Sequence, residues 1–529
     1  MRTAFLAPAL PCVLALLGAA PALAAPVAGT VIEIHVDSSH PGPKIDRNIF
    51  GQFAEHLGSG VYGGIWVGKG SAIPNVRGIR SDVVGALRDL HVPNVRWPGG
   101  CFGDEYHWRD GIGPAAARRS TINANWGGAI DTNSFGTDEF MDFINQIGSE
   151  AYVSINVGSG SPAEAAAWMA YMTAPAATSA GKERAANGHP APYRVKFLGI
   201  GNESWGCGGS MTPDYYVSQL KLYARYVRNY NPAQTGAEAM RRVSVGADGG
   251  KTDYVEAVMK AWHDKVWSWD IEGLSLHSYT TVGWPPSHPS THFGEQEYAS
   301  FLKDTLGMDA LIAKHSGIMD QYDPQKKLGL VVDEWGAWLA PLPGTNPGFL
   351  VQQNSLRDAI LAALNIDIFA RHADRVRMAN IAQMINVLQA MIMTDQGRMV
   401  LTPTYFVFRM YAPFQDATLI PVHLDAGTYS YKDISLPRVD AIAARDAAGK
   451  IWLAVVNLDS TRSVRIHTLL GNTAVRSAHG QVLTAAQVDA VNSFDSPHVV
   501  QPAPIDAVTT AGAVVLELPA KSVSVVQVQ

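Results

Sequence analysis

Residues 195–204 read VKFLGIGNES, and this stretch decides the fold. It is a short apolar strand that ends in the polar pair Asn202-Glu203. A helix signature follows it, with Thr212 as N-cap and Pro213 in the first turn. Residues 328–335, LGLVVDEW, repeat the theme of an apolar strand ending in a carboxylate, here Glu334. Strand, loop and helix in succession indicate an α/β architecture.

The same unit recurs between residues 48 and 413. Apolar runs predict strands, and apolar residues at three- and four-residue spacing predict helices between them. The predicted strands are 49–54, 94–97, 152–157, 195–201, 243–247, 271–277, 328–333 and 378–385. The predicted helices are 81–90, 137–147, 162–172, 213–229, 253–266, 297–321, 355–373 and 403–411. This alternation predicts a (β/α)₈ TIM barrel. A doubly wound sheet is the alternative, but no Gly-x-Gly-x-x-Gly turn follows a strand start.

A second domain is predicted at the carboxyl end. After residue 413 the segments are short and alternating, with turn residues between them and no convincing helix; they include 439–445, 451–457, 463–469 and 514–518. This pattern therefore predicts that residues 414–529 form a β-sandwich. Residues 30–36 alternate in the same way before the barrel starts, so we assign 30–47 to the sandwich as well.

Residues 1–24 have the pattern of a secretory signal peptide. Arg2 gives a positive start, residues 4–23 are apolar, and Ala22-Leu23-Ala24 supplies small residues for cleavage. A membrane anchor is the alternative, which prolines within the run disfavour. The sequence thus predicts a secreted or periplasmic protein that does not stay in the membrane.

The bulk composition excludes some partners. The net charge is −6, only 17% of residues are charged, and no Lys/Arg run could follow a nucleic acid backbone. Beyond Cys12 in the predicted signal, the chain has Cys101 and Cys207. A chain this long does not require disulfides, so two free thiols are favoured, with pairing left open.

Two carboxylates at strand ends indicate glycoside hydrolysis. Active residues of such barrels lie at the carboxyl ends of the strands, where Glu203 and Glu334 fall on the fourth and seventh. One carboxyl can protonate the leaving oxygen while the other attacks the anomeric carbon or activates water. Strand-end ion pairing is the alternative, which the presence of both disfavours. His288 and His292 could bind a metal only on a helix, and three nearby prolines predict a loop, so we expect neither metal nor cofactor.

Several longer strings resemble glycoside hydrolase family 51, the α-L-arabinofuranosidases of the retaining barrel clan A. They are GQFAEHLG (51–58), VYGGIW (61–66), VRWPGGCFGDEYHWRDGIGP (95–114), GIGNESWGCGG (199–209), SLHSY (275–279) and ANIAQMINV (379–387). The resemblance covers residues 50 to about 410, in order. It implies a retaining, exo-acting enzyme that removes terminal arabinofuranosyl units from plant polysaccharides.

The resemblance also implies roles for single residues. Glu203 matches the acid/base and Glu334 the nucleophile. The expected substrate-binding residues are Glu55, Cys101 as a pocket wall, Asn202, Tyr279 and Gln383, to which we add His277 and Trp335 from their positions at strand ends. Tyr279 and Arg96 are candidate donors to Glu334. Among further tryptophans that could stack on sugars are Trp66, Trp97, Trp284 and Trp338, although Trp97 could equally pack inside the barrel.

Two other functions remain open from the sequence. An endo-glucanase or β-xylosidase would use the same carboxylates, but an endo-enzyme needs a long cleft in place of a closed pocket. A non-catalytic sugar-binding protein is disfavoured because both carboxylates are present. The resemblance further implies a homo-oligomer, a hexamer built from dimers, and arabinan, arabinoxylan or derived oligosaccharides as substrates.

Overall fold

The computed structural model describes residues 31–529 except 267, 472–474 and 511. Eight parallel strands close into a barrel in which each strand lies beside its neighbours in sequence. They are β1 (Gly51–Phe53), β2 (Asn94–Trp97), β3 (Glu150–Ile155), β4 (Phe197–Ile200), β5 (Arg241–Asp248), β6 (Gly273–Thr280), β7 (Gly329–Ala337) and β8 (Val376–Ile381). The predicted barrel is confirmed and the open sheet excluded. The predicted signal peptide, residues 1–24, lies outside the described residues.

Helices surround the barrel, and their starts follow the sequence signals. They are α1 (Ser81–Asp89), α2 (Thr137–Ile147), α3 (Pro162–Thr173), α4 (Ser179–Ala186), α5 (Pro213–Tyr226), α6 (Asp253–His263), α7 (Glu295–Tyr322), α8 (Leu356–Arg371) and α9 (Pro403–Tyr411). Ser161, Thr212 and Thr402 each cap the helix that starts at the following proline. Among the described residues no helix is long and apolar enough to cross a membrane.

Eleven of the other strands in the described residues form a sandwich of two sheets. The first has the order Val422–Leu424, Val31–Val36, Val464–Leu469, Ala513–Leu518 and Ala507–Thr510. The second has the order Thr418–Ile420, Val439–Arg445, Ile451–Asn457, Ser522–Val528, Ala478–Leu483 and Ala503–Ile505. Strand Val31–Val36 pairs in parallel with Val464–Leu469, so the first strand does belong with the carboxyl-terminal sheet. Its alternating exposed and buried residues place one face on the sandwich core.

Helix α8 joins the two domains. From Leu356 to Ala370 it is buried on every side, which is expected only of a helix enclosed by protein. One face packs on barrel strands, and the other meets the second sheet of the sandwich, where Arg371 pairs with Asp440. The sandwich therefore packs on the outside of the barrel through this helix.

Four small hairpins decorate the loops. They are Asn75–Val76 with Ile79–Arg80, Thr121–Asn123 with Ala129–Asp131, Ile392–Asp395 with Arg398–Leu401, and Thr428–Tyr431 with Ile434–Pro437. The second one matters most, because its turn carries Trp126 to the barrel mouth. It is held there by Asp131, whose carboxylate lies 2.6 Å from Nδ1 of the buried His56.

Candidate active site

The carboxyl end of β7 turns two consecutive acidic side chains toward the barrel axis. Successive side chains of a regular strand face opposite ways, so Asp333 and Glu334 should not both point inward. The pairing register shifts here against both β6 and β8, which marks a bulge. Asp333 contacts Tyr152 inside the barrel, and Glu334 reaches the cavity at its mouth. The irregularity thus places one carboxylate directly beneath another.

Glu334 is held by two donors on neighbouring strands. Arg96 Nη1 on β2 donates to Oε1 at 2.7 Å, and the Tyr279 hydroxyl on β6 donates to Oε2 at 2.8 Å. Arg96 is buried beside Glu334 and Asp333, and these carboxylates raise the pKa of its guanidinium against the cost of burial. Both donors expected from the sequence are therefore in place, and each oxygen of Glu334 accepts a hydrogen bond.

Glu203 lies in a strained turn after β4. Its φ of 36° is in the left-handed region, which is uncommon for residues other than glycine. Its side chain is 27% exposed, compared with 8% for Glu334. His277 Nδ1 lies 2.9 Å from its Oε1. Burial disfavours the charged imidazole, but Glu334 and the neighbouring carboxylates raise the pKa of His277 to about 10.

The two glutamates face each other across the barrel mouth. One carboxylate oxygen of each, together with a nitrogen of His277, lie within 4.8 Å of one another. Retaining glycosidases place the carboxyl groups about 5–5.5 Å apart, and inverting enzymes about 6.5–9.5 Å, to leave room for water. One oxygen of Glu203 and one of Glu334 thus lie at most 4.8 Å apart, on the short side of these two ranges.

A small cavity opens above this pair. It is small, with a volume of about 30 Å³, below the range of about 300–1,000 Å³ for pockets that hold drug-sized ligands. Its lining residues are Glu55, Leu57, Gly100, Cys101, Trp126, Glu203, Tyr279, Glu334, Trp338, Leu350, Gln383 and Leu388. Apolar walls with a few convergent polar groups are typical of a site for one small ligand unit.

Glu55 forms a third carboxylate in the cavity. Its Oε1 accepts from the backbone N–H groups of Gly100 and Phe102 and from Trp126 Nε1, and its Oε2 accepts from Gln383 Nε2. Burial and, after it, the charge of Glu334 raise the pKa of Glu55 to about 7. A Cβ at Gly99 would lie 2.9 Å from Glu55 Oε1, so only glycine allows this approach.

Most of the predicted site residues come together here. Glu55, Cys101, Glu203, Tyr279, Glu334 and Gln383 line the cavity. Asn202 is buried just behind it, with Oδ1 accepting from Arg96 Nη2 at 2.6 Å and Nδ2 donating to the sulfur of Cys207 at 3.7 Å. His277 likewise lies beneath the floor, between Glu203 and Asp333.

Trp335 is not part of the site, contrary to the prediction. It is fully buried on the outer face of β7, stacked on Phe408 of α9 and edge-on to Phe369 of α8. Since Glu334 points inward after the bulge, the next side chain must point outward. Trp97 is also buried, stacked on Phe140, whereas Trp338 does line the cavity.

Cys101 and Cys207 form a disulfide, so the expectation of free thiols was wrong. Their Cα atoms lie 5.5 Å apart. Cys101 follows β2 and Cys207 follows β4, and the bridge spans the mouth across β3. The pocket wall expected at Cys101 is therefore a disulfide sulfur, which has no proton to donate.

Trp126 was not singled out from the sequence. It lies in a hairpin turn between β2 and α2 and not at the end of a barrel strand, which is where functional residues were sought. Its Nε1–H donates to Glu55 at 2.9 Å. The only sequence signal was an aromatic residue in a polar stretch, INANWGG, at positions 122–128.

A closed (β/α)₈ barrel with close-set glutamates at the ends of β4 and β7 defines a glycoside hydrolase. Comparisons with known proteins narrow this class. The family profile "Alpha-L-arabinofuranosidase 1 domain" matches residues 86–268, and "Alpha-L-arabinofuranosidase C-terminal domain" matches residues 333–522.

Individual relatives and structures agree. The "Intracellular exo-alpha-L-arabinofuranosidase" of Bacteroides ovatus is 44% identical, over 97% of this chain and 98% of that protein. The crystal structure of the GH51 arabinofuranosidase from Xanthomonas axonopodis pv. citri is 47% identical, with a TM-score of 0.91 over 94% of this chain and 100% of that one. The arabinose complex of the Thermotoga maritima enzyme is 29% identical, with a TM-score of 0.79 over 94% of this chain and 99% of that one. The chain belongs to glycoside hydrolase family 51, the α-L-arabinofuranosidases.

The predicted location is contradicted by these comparisons. A secreted or periplasmic protein with a signal peptide was expected from residues 1–24, but the Bacteroides ovatus relative, which matches nearly the whole chain, is named as intracellular. The expectation depended on the apolar composition of one short segment. Such composition is necessary for export but does not establish it.

Proposed function

We propose that this enzyme is a retaining, exo-acting α-L-arabinofuranosidase that works by double displacement. The observation that carries the proposal is the pair of carboxylates, Glu203 and Glu334, with oxygens within 4.8 Å of each other at the floor of a small cavity. This spacing supports direct attack by one carboxylate on the sugar, because enzymes that activate water instead hold their carboxyl groups farther apart, about 6.5–9.5 Å.

Glu334 is the nucleophile in this proposal. Hydrogen bonds from Arg96 and Tyr279 to its two oxygens fix the orientation of the carboxylate. One oxygen attacks the anomeric carbon, and the glycosidic carbon–oxygen bond breaks with its electron pair leaving on the aglycone oxygen. The product of this step is an arabinosyl ester of Glu334.

Glu203 is the acid and then the base. Among the described residues it pairs with His277 and not with an arginine, and its side chain is more exposed than that of Glu334, so it can exchange protons with an aglycone or with water. In the first step its proton passes to the leaving oxygen. In the second step it accepts a proton from water, whose oxygen attacks the anomeric carbon and releases Glu334.

The shape of the cavity supports exo action. Trp126, Trp338 and Leu350 form part of its walls. A small walled cavity suits one terminal sugar, whereas an endo-glucanase requires a long cleft. Glu55 and Gln383, with Asn202 just behind the cavity, supply the hydrogen-bonding groups that orient a single furanose. Since the Bacteroides ovatus relative is named an exo-enzyme, we propose terminal arabinofuranosyl units of arabinan, arabinoxylan or their oligosaccharides as substrates.

The configuration of an azide product tests both roles. With Glu203→Ala, an activated aryl arabinofuranoside still forms the ester, and azide attacks it without needing a base. We expect turnover to rise with azide and the arabinosyl azide to keep the substrate's configuration. With Glu334→Ala we expect, at most, a slow product of inverted configuration. The opposite pair of outcomes would reverse the roles, and a panel of other aryl glycosides checks the preference for arabinofuranose.

A further inference from the structure

Asp104 is a buried carboxylate that the proposed mechanism does not use. It follows β2, in the motif FGDEYHW at residues 102–108, and is 2% exposed. It does not line the cavity. Burial raises the pKa of Asp104 to about 7, although backbone donors act in the opposite direction. Burying a carboxyl group this deeply costs free energy unless the group is hydrogen-bonded.

The hydrogen bonds of Asp104 connect three successive loops at the barrel mouth. Its Oδ1 accepts from the backbone N–H groups of Val157 and Gly158, after β3, at 2.8 and 2.9 Å. Its Oδ2 accepts from the backbone N–H of Asn202, after β4, at 3.0 Å. All three donors belong to the main chain, so the carboxylate determines where these loops lie relative to β2.

The last of these bonds acts on the residue next to Glu203. Asn202 N–H is fixed immediately before the backbone enters the left-handed conformation of Glu203. The same loop is tied again at Cys207, through the disulfide to Cys101. Two links from the loop after β2 therefore hold the segment 202–207, one at its start and one at its end.

We propose that Asp104 is a positioning residue for proton transfer, which fixes the backbone at Asn202 and thereby aims the Glu203 carboxyl at the glycosidic oxygen. The inference depends on the proposed role of Glu203 as acid/base. It assigns Asp104 no contact with substrate. Its specific consequence is that disturbing Asp104 impairs protonation of the leaving group more than attack by Glu334, because Arg96 and Tyr279 orient Glu334 independently.

The test uses Asp104→Asn, which keeps the shape but can no longer accept from all three N–H groups. We expect kcat/KM for phenyl α-L-arabinofuranoside to fall about 10- to 100-fold, the scale of a misplaced catalytic group. For the 2,4-dinitrophenyl substrate, whose leaving group departs without protonation, we expect a fall of less than about threefold. Asp104→Ser removes both carboxylate oxygens and should give a larger fall with the same dependence on leaving group.

Asp323→Asn is the matched control. Asp323 is equally buried and accepts from the backbone N–H of Leu328, but it lies at the opposite end of the barrel. Its variant should lose stability without any dependence on leaving group. Equal losses on both substrates for the Asp104 variants would overturn the inference and leave a purely structural role. If Glu203→Ala itself showed no such dependence, the proposed function would fail instead, so the two failures are distinguishable.

Discussion

The two ends of the barrel hold the same kind of charge cluster for different purposes. At the amino-terminal end, Arg375 is buried and pairs with Asp320 and Asp323. At the carboxyl end, Arg96 is buried and pairs with Asp333 and Glu334. Each cluster has one guanidinium between two carboxylates, so burial of an ion pair does not by itself identify an active site.

The difference lies in what else the arginine holds. Arg375 also donates to the carbonyl oxygens of Leu328 and Asp323, which joins main-chain segments and closes that end. Arg96 instead donates to the side chains of Glu334 and Asn202, and Glu334 faces a cavity that contains Glu203. An ion pair becomes catalytic when one carboxylate remains accessible to a ligand and a second carboxylate stands opposite it.

Substituting the two arginines separates the structural role of Arg375 from the role of Arg96 in the active site. It should have the largest effect on stability and activity. Arg96→Met and Arg375→Met each remove the guanidinium partner of a buried carboxylate, so each should lower the free energy of unfolding by about 3–5 kcal/mol. Only Arg96→Met should lower kcat/KM of the folded fraction, by about 10³-fold, because the nucleophile loses its fixed donor. Urea unfolding and kinetics at low temperature measure the two effects. Comparable activity losses would mean that Arg96 acts only through stability.

Removing one hydroxyl group tests the same comparison with a smaller expected effect on activity and stability. Tyr279→Phe deletes the donor to Glu334 Oε2, and a hydrogen bond to a charged group contributes about 1.5–3 kcal/mol. We therefore expect kcat/KM to fall about 10- to 100-fold. Tyr405→Phe is the control, since its buried hydroxyl donates to the carbonyl of Ala86, far from the cavity. That variant should change unfolding alone, and an activity loss there would show that packing dominates both results.

The barrel was predictable because its units are local. Periodicity, together with the cap at Thr212, located helices to within a few residues. Helix α4 was missed, since its sequence, SAGKERAA, has too few apolar residues to show a period. The acidic ends of β4 and β7 were predictable for the same reason, as each follows directly from its own strand.

The rest of the site depends on contacts between loops, which a single sequence does not encode locally. The bulge at Asp333 reverses the face of Trp335, so counting alternate residues along β7 gave no warning. The disulfide joins residues 106 positions apart, and Asp104 meets its partners only when three loops have assembled. The expected hexamer depends on contacts between chains and stays a prediction.

The smallest expected effect concerns pH, and it compares two buried histidines. The pKa of His277 is raised by Glu334 and its neighbours to about 10, so this residue is charged in the folded protein at neutral pH. Its stabilising contribution is complete below its ordinary pKa of 6.5 and is lost as pH rises toward 10. His315, whose Nε2 lies 2.7 Å from the carbonyl of Gly249, has its pKa lowered by burial. Its contribution is present above 6.5 and is lost as pH falls.

The two variants His277→Gln and His315→Gln should therefore depend on pH in opposite directions. Relative to wild type, the deficit in unfolding free energy for His277→Gln should shrink above pH 6.5, by at most about 1.4 kcal/mol per pH unit. For His315→Gln the deficit should stay constant above that pH and shrink as the solution becomes more acidic. Urea unfolding at half-unit steps from pH 5 to 9 measures both curves. A deficit for His277→Gln that did not change between pH 7 and 9 would mean that its imidazole is neutral, and that the carboxylates around it do not act on it as a charged cluster.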